Sequence, residues 1–179
     1  TAIEKLRAAI AAEHDVKVEY HGADVGKPAD IDAMVRATEH QLGPIDILVN
    51  NAVVRHYHKV EDFPPEEWDR AIAVDLSAAF HTIRLTIRGM KQRGWGRIIN
   101  MSSVVSQKGV QGTSAYAASK AALNTLARSF SARHGDAPFG TVLMHPGWVR
   151  TDMGGPEADI DVATSAEGMV AVVEGRLGQ

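Results

Sequence analysis

Pro44-Ile45-Asp46-Ile47-Leu48-Val49-Asn50-Asn51-Ala52 decides the fold class. Ile45, Ile47, Leu48 and Val49 form a short apolar run between a proline and a pair of asparagines. The run is too short for a helix and apolar on both sides of a pleat, so it reads as a strand buried on both faces, as strands of parallel sheets are. Before it, Pro28 opens a helical pattern with Ile31, Met34, Val35 and Leu42 on one face, closed by Gly43 and Pro44. After a polar loop, Pro64 and Pro65 precede a long helical pattern through Trp68, Ile72, Leu76, Phe80, Ile83, Ile87 and Met90, stopped at Gly94. Helix, buried strand and helix in this order belong to an α/β chain.

The outer segments extend the alternation. Ile3, Leu6 and Ile10 recur at helical spacing, and Val16, Val18 and Tyr20 alternate as in a strand. Residues 97–101 read as strand, 115–131 as helix and 141–144 as strand. Thr164 with Glu167 three residues on forms a capping box before a last helix through Met169, Val170, Val173 and Leu177. The expected architecture is a three-layer, Rossmann-like, doubly wound parallel sheet in a single domain over residues 1–179. Ligands of such sheets bind beyond the carboxyl ends of the strands. Those ends carry Asp24-Val25, Asn50-Asn51-Ala52, Ser102-Ser103 and Pro146-Gly147 with Thr151.

Composition removes several function classes. The 179 residues carry a net charge of −3, with no block of like charge to grip a phosphate backbone, so no nucleic-acid partner is expected. No apolar run approaches the about 18 residues of a membrane span, so no membrane partner is expected, and a soluble, cytoplasmic protein is. The absence of cysteine excludes disulfides and thiolate chemistry. His56 and His58 in Arg-His-Tyr-His-Lys read as solvated loop residues, two apart with no carboxylate pair or cysteine beside them, and no metal is assigned. The first residue is Thr1 rather than Met, as in a segment of a longer product.

Tyr116 and Lys120, four apart at the head of a predicted helix, project from one face. A phenol ordinarily ionises near pH 10, and a neighbouring ammonium favours the phenolate, so such a tyrosine can exchange a proton with an alcohol or carbonyl. Taken alone, the pair is equally a surface contact. Ser103, thirteen residues earlier at a strand end, offers a hydroxyl to the same substrate oxygen; a lone serine there more often satisfies backbone. Asn50-Asn51-Ala52, Ser103, Tyr116, Lys120 and Pro146-Gly147-Trp148-Val149-Arg150-Thr151 form an ordered set, and with it the chain resembles the short-chain dehydrogenase/reductase family.

The resemblance implies an oxidoreductase that transfers hydride between NAD or NADP and a small-molecule secondary alcohol or ketone. Tyr116 would be the acid/base, Ser103 the substrate-oxygen donor, and Lys120 the partner of both tyrosine and nicotinamide ribose. It also implies cofactor contacts from Asp24, Val25, Asn50, Ala52, Pro146, Gly147, Val149 and Thr151, and a homodimer or homotetramer built on the helices of 71–90 and 115–131. Asp75 stands where the family usually has the asparagine of its proton relay. Residues 1 to about 104 look most like 3-hydroxybutyrate dehydrogenases, and 141–164 more like the C-factor-type branch. Val105 and Thr113 replace the histidine and lysine that bind carboxylate in the former. The family's glycine-rich turn, TGxxxGxG, is nowhere in residues 1–179. The resemblance therefore implies a partial dinucleotide-binding domain, shortened at both ends, with a two-strand gap between 16–20 and 45–49. The alternatives are an inactive relative acting only through protein contacts, and a hydrolase with Ser103 as nucleophile, which the lack of a Gly-x-Ser-x-Gly elbow disfavours.

Overall fold

The computed structural model describes residues 1–133, 139–152 and 154–175. Three parallel strands, β1 (Ile47–Asn50), β2 (Gly96–Met101) and β3 (Phe139–Met144), lie in the order β1-β2-β3. The register sets Asn50 beside Asn100 and Met101 beside Met144, so the carboxyl ends of all three strands emerge at one side of the sheet.

Successive residues of β2 face opposite layers. Ile98 packs with Ile83 and Met90 of α4 (Ala78–Arg93), joined by Leu48 of β1 and Phe130 of α5 (Ser114–Arg133). Ile99, next in sequence, packs with Met101, Met144 and the Met169, Val172 and Val173 side chains of α6 (Val162–Val173). Helices on both faces make the three expected layers, and the alternation explains why Ile98 and Ile99, adjacent in sequence, are both buried. The expectation that the 45–49 strand is buried on both faces is corrected: Ile47 and Val49 are half exposed, because α6 packs on β2 and β3 and leaves that face of β1 uncovered. On the α4 side, α2 (Pro28–Leu42) adds Ile31 and Val35 against Ala78.

Four further expectations are corrected. Residues 16–20 form no strand: Val16 and Tyr20 are exposed, and among the described residues no strand lies beside them to share a ladder. Preceding them, α1 (Ala2–His14) is helical as expected but buries none of its residues, so Ile3, Leu6 and Ile10 face outward. The long helix runs to Gly94 as expected, but its α-helical repeat is interrupted: α3 (Pro65–Ile72) passes through a π-helical turn (Ala73–Ser77) before α4 begins. The last helix is capped not by Thr164 but by Asp161, whose carboxylate accepts from the Thr164 N–H at 2.8 Å.

Candidate active site

The π-turn positions the site's acid. One extra residue per turn breaks the regular helical repeat and turns Asp75 inward, where it is almost fully buried. One carboxylate oxygen accepts from the Val54 N–H at 2.8 Å and the other from the Ser119 hydroxyl at 3.5 Å. Lys120 is also buried, and its ammonium donates to the Met101 carbonyl at the end of β2 at 2.9 Å. Burial pushes the Asp75 carboxyl above the usual carboxylate range, against the Val54 bond and the Lys120 charge. Burial likewise draws Lys120 below the usual amine range, and Asp75 opposes it.

Tyr116 stands one turn before Lys120, whose nitrogen is 5.7 Å from the ring centroid. The Arg55 guanidinium lies 4.8 Å from the same centroid and 5.2 Å from that of Tyr57. The phenol ring thus has two cations against it. Arg55 was not legible as a site residue, because the fold rather than the spacing carries its loop back over α5. Its Nε is buried and has no hydrogen-bond partner among the described residues.

Ser103 caps a short 3₁₀ turn (Val104–Ser106), and its hydroxyl accepts from the Val105 N–H at 3.4 Å. It lines a cavity with Ser102, Asn124, Met144 and His145, apart from the cavity that holds Lys120. Asn124 of α5 holds this loop, accepting from the Ser102 hydroxyl at 2.6 Å and donating to that of Ser106 at 2.9 Å. Thr113 is buried, its hydroxyl spent on the Val110 carbonyl at 2.9 Å.

Of the expected cofactor residues, Val25, Asn50, Ala52 and Lys120 line one cavity of about 230 Å³ together with Asp75 and Thr82. Asn50 is less free than expected. Its amide nitrogen donates to the Asn100 side chain at 2.8 Å and its amide oxygen accepts from the Thr82 hydroxyl at 2.7 Å. The Asp24 carboxylate is held by Arg70 at 2.7 Å, and that bond keeps it below the usual carboxylate range. Pro146, Gly147, Val149 and Thr151 follow β3 in a segment closed by a parallel bridge between Val149 and Ile160. The Pro146 carbonyl accepts from the Ser165 hydroxyl at 2.7 Å, and the exposed Thr151 hydroxyl accepts from the Gly154 N–H at 3.1 Å. Trp148 is half-exposed, its indole N–H donating to the Gly154 carbonyl at 2.8 Å.

Two predictions arise here. Gly147 has φ 86°, and a Cβ there would overlap the Ile160 side chain. Gly147→Ala is therefore expected to cost at least about 1–2 kcal/mol, read from urea unfolding; an unchanged midpoint would show that this turn is not fixed. The second concerns pH. A carboxyl raised in the folded state contributes stability that is fully present below its unfolded pKa and lost as pH rises through its folded value. The melting temperature of the parent chain should fall relative to Asp75→Asn as pH rises above about 4, and parallel profiles would reject the assignment.

The family model described as short chain dehydrogenase matches residues 1–160. The D-beta-hydroxybutyrate dehydrogenase of Cupriavidus necator is 42% identical over 142 residues, covering 79% of this chain and 55% of that protein. The 5-keto-D-gluconate 5-reductase of Escherichia coli is 36% identical over 159 residues, covering 85% of this chain and 58% of the relative. The chain thus spans about half the length of the curated relatives it matches. A metagenomic short-chain oxidoreductase solved in complex with NADP superposes with a TM-score of 0.82 at 29% identity, over 95% of this chain and 73% of the other. A match over residues 1–160, on a parallel sheet whose helix α5 presents Tyr116 and Lys120 on one face, means that this chain belongs to the short-chain dehydrogenase family.

Proposed function

We propose that the chain carries the catalytic part of an NAD- or NADP-dependent oxidoreductase that interconverts a secondary alcohol and a ketone. The observation that carries this reading is the Tyr116 ring held against both Lys120 and Arg55. Tyr116 holds the proton that passes to or from the substrate oxygen. Lys120 and Arg55 favour the charge left on the phenol when that proton has moved. The Ser103 hydroxyl, once turned from the Val105 N–H, donates to the same substrate oxygen.

The residues at the carboxyl end of β1 suit a dinucleotide. The cavity lined by Val25, Asn50, Ala52 and Lys120 is apolar on its walls and has a buried ammonium within it, and its volume of about 230 Å³ suits a part of the cofactor rather than all of it. Val25 and Ala52 would border the base, with Asp24 beside them, Lys120 the nicotinamide ribose, and Pro146, Gly147, Val149 and Thr151 the nicotinamide. When bound, that ring supplies or accepts the hydride. Asn50 contributes shape and backbone, its amide being engaged by Asn100 and Thr82. Asp75 is a positioning residue that holds Val54 and sets the charge around Lys120.

Arg55 favours substrates with an anionic group near the reacting carbonyl, because its buried Nε has no partner among the described residues. The test follows nicotinamide absorbance in the near ultraviolet with NADH and NADPH, pairing keto acids with their neutral esters. Turnover preferring the acids supports the reading. No turnover and no calorimetric cofactor binding would overturn it in favour of an inactive relative acting through protein contacts.

The same reading places the protein in the cytoplasm as a single domain over residues 1–179; among the described residues no helix is long and apolar enough to cross a membrane. It also makes the protein a homodimer or homotetramer joined through α4 and α5. Phe80, Ile83, Ile87, Leu126 and Phe130 line an apolar groove of about 230 Å³ between those helices. Sedimentation at micromolar concentration should give a dimer or larger, and a strict monomer would contradict it.

A further inference from the structure

The two loop histidines are not solvated as their spacing suggested. His56 and His58 lie between β1 and α3, and both rings turn onto one oxygen of Glu67, in the first turn of α3. The His56 Nδ1 is 2.8 Å from Glu67 Oε2, and the His58 Nε2 is 2.7 Å from the same atom. All three side chains are half-buried, and their donor atoms lie within 4.8 Å of one another. The carboxylate that the sequence reading lacked is supplied by the fold, nine residues beyond His58.

From this geometry we propose that His56, His58 and Glu67 form a binding site for one borderline divalent cation of the zinc class. Two imidazoles and one carboxylate suit Zn²⁺, Co²⁺ or Ni²⁺ rather than Ca²⁺ or Mg²⁺, which prefer oxygen-rich shells. Metal–ligand bonds of about 2.0–2.1 Å place neighbouring donor atoms about 2.9 Å apart at right angles and about 3.3 Å apart in a tetrahedron. The two imidazole–carboxylate separations fall short of those by tenths of an ångström and all three donor atoms lie within 4.8 Å, so a small adjustment of the three side chains admits the ion.

The ligand set is already ordered without the ion. The His58 N–H donates to the Gly112 carbonyl at 3.2 Å, and its ring meets Phe63 edge-on at 5.1 Å. Two residues before His56, Val54 is fixed by Asp75. Preorganisation of this kind lowers the ordering cost of binding. Three protein ligands leave a coordination position for water. The ion would tie the loop that carries Arg55 to α3, which makes its role anchoring rather than chemical. The site stands whether or not Tyr116 is catalytic, because its test reads binding alone.

The tag-free 179-residue chain, stripped with EDTA, is titrated with Zn²⁺ by calorimetry and with Co²⁺ by visible absorption. The expected result is one equivalent bound, with Co²⁺ bands of low-symmetry coordination. Glu67→Gln and His58→Ala should each weaken Zn²⁺ binding by at least about a hundredfold, the upper end of what even outer-shell partners command. Circular dichroism checks that each variant folds; if His58→Ala does not, Glu67→Gln and His56→Gln carry the test. Affinity unchanged by the substitutions, or no binding by the parent chain, overturns the proposal and leaves an imidazole–carboxylate hydrogen-bonded cluster.

Discussion

Tyr116→Phe lowers oxidoreductase turnover by at least about a hundredfold and leaves the melting temperature close to that of the parent chain. The two halves of this expectation rest on different atoms. Turnover depends on the phenolic oxygen, since phenylalanine holds no proton to exchange with a substrate oxygen. Stability depends on the ring and backbone, which the substitution keeps. The ring remains against Lys120 and Arg55, and Ser119 bonds the Tyr116 carbonyl at 2.8 Å rather than its side chain. Steady-state rates with a ketone and reduced cofactor, beside a thermal melt, separate the effects. A Phe variant with parental turnover would remove Tyr116 from the proton transfer, and one that melts early would show a structural role for the hydroxyl.

Lys120→Met should lower stability by about 2–3 kcal/mol, and Asp75→Asn in the same chain should restore part of the loss. Methionine fills similar space but leaves two buried groups without their partner. The Met101 carbonyl loses the 2.9 Å bond it accepts, and the Asp75 carboxylate loses the cation that offsets its burial. Asparagine at 75 removes the second problem only, since it keeps an oxygen for the Val54 N–H and carries no charge. Urea unfolding of the parent, both single variants and the double variant closes a mutant cycle. The expected coupling is at least about 0.5 kcal/mol, the lower bound for residues that share a network. Additive losses would mean that Asp75 and Lys120 do not sense each other.

The chain's local order was legible in its residues because it depends on short-range regularities. Apolar spacing located α2, whose Ile31 and Val35 are buried, and the apolar run at 45–49 located β1, but only one face of that strand is covered, since Ile47 and Val49 are half exposed. The four-residue spacing of Tyr116 and Lys120 was enough to put them on one face of α5, because a helix repeats every 3.6 residues. Tertiary structure decided what depends on partners distant in sequence. Residues 16–20 alternate like a strand yet form none, since a ladder needs a neighbour that no residue within the segment supplies. Asp75 faces Lys120 because a π-turn interrupts a helix whose apolar pattern gives no sign of it. Arg55 reaches Tyr116, and Glu67 reaches both His56 and His58, only because the loop after β1 folds back across α3 and α5. Periodicity reports which face of an element is buried. It carries no information about which side chains from separate elements meet there, and the chemistry of this site lies in those meetings.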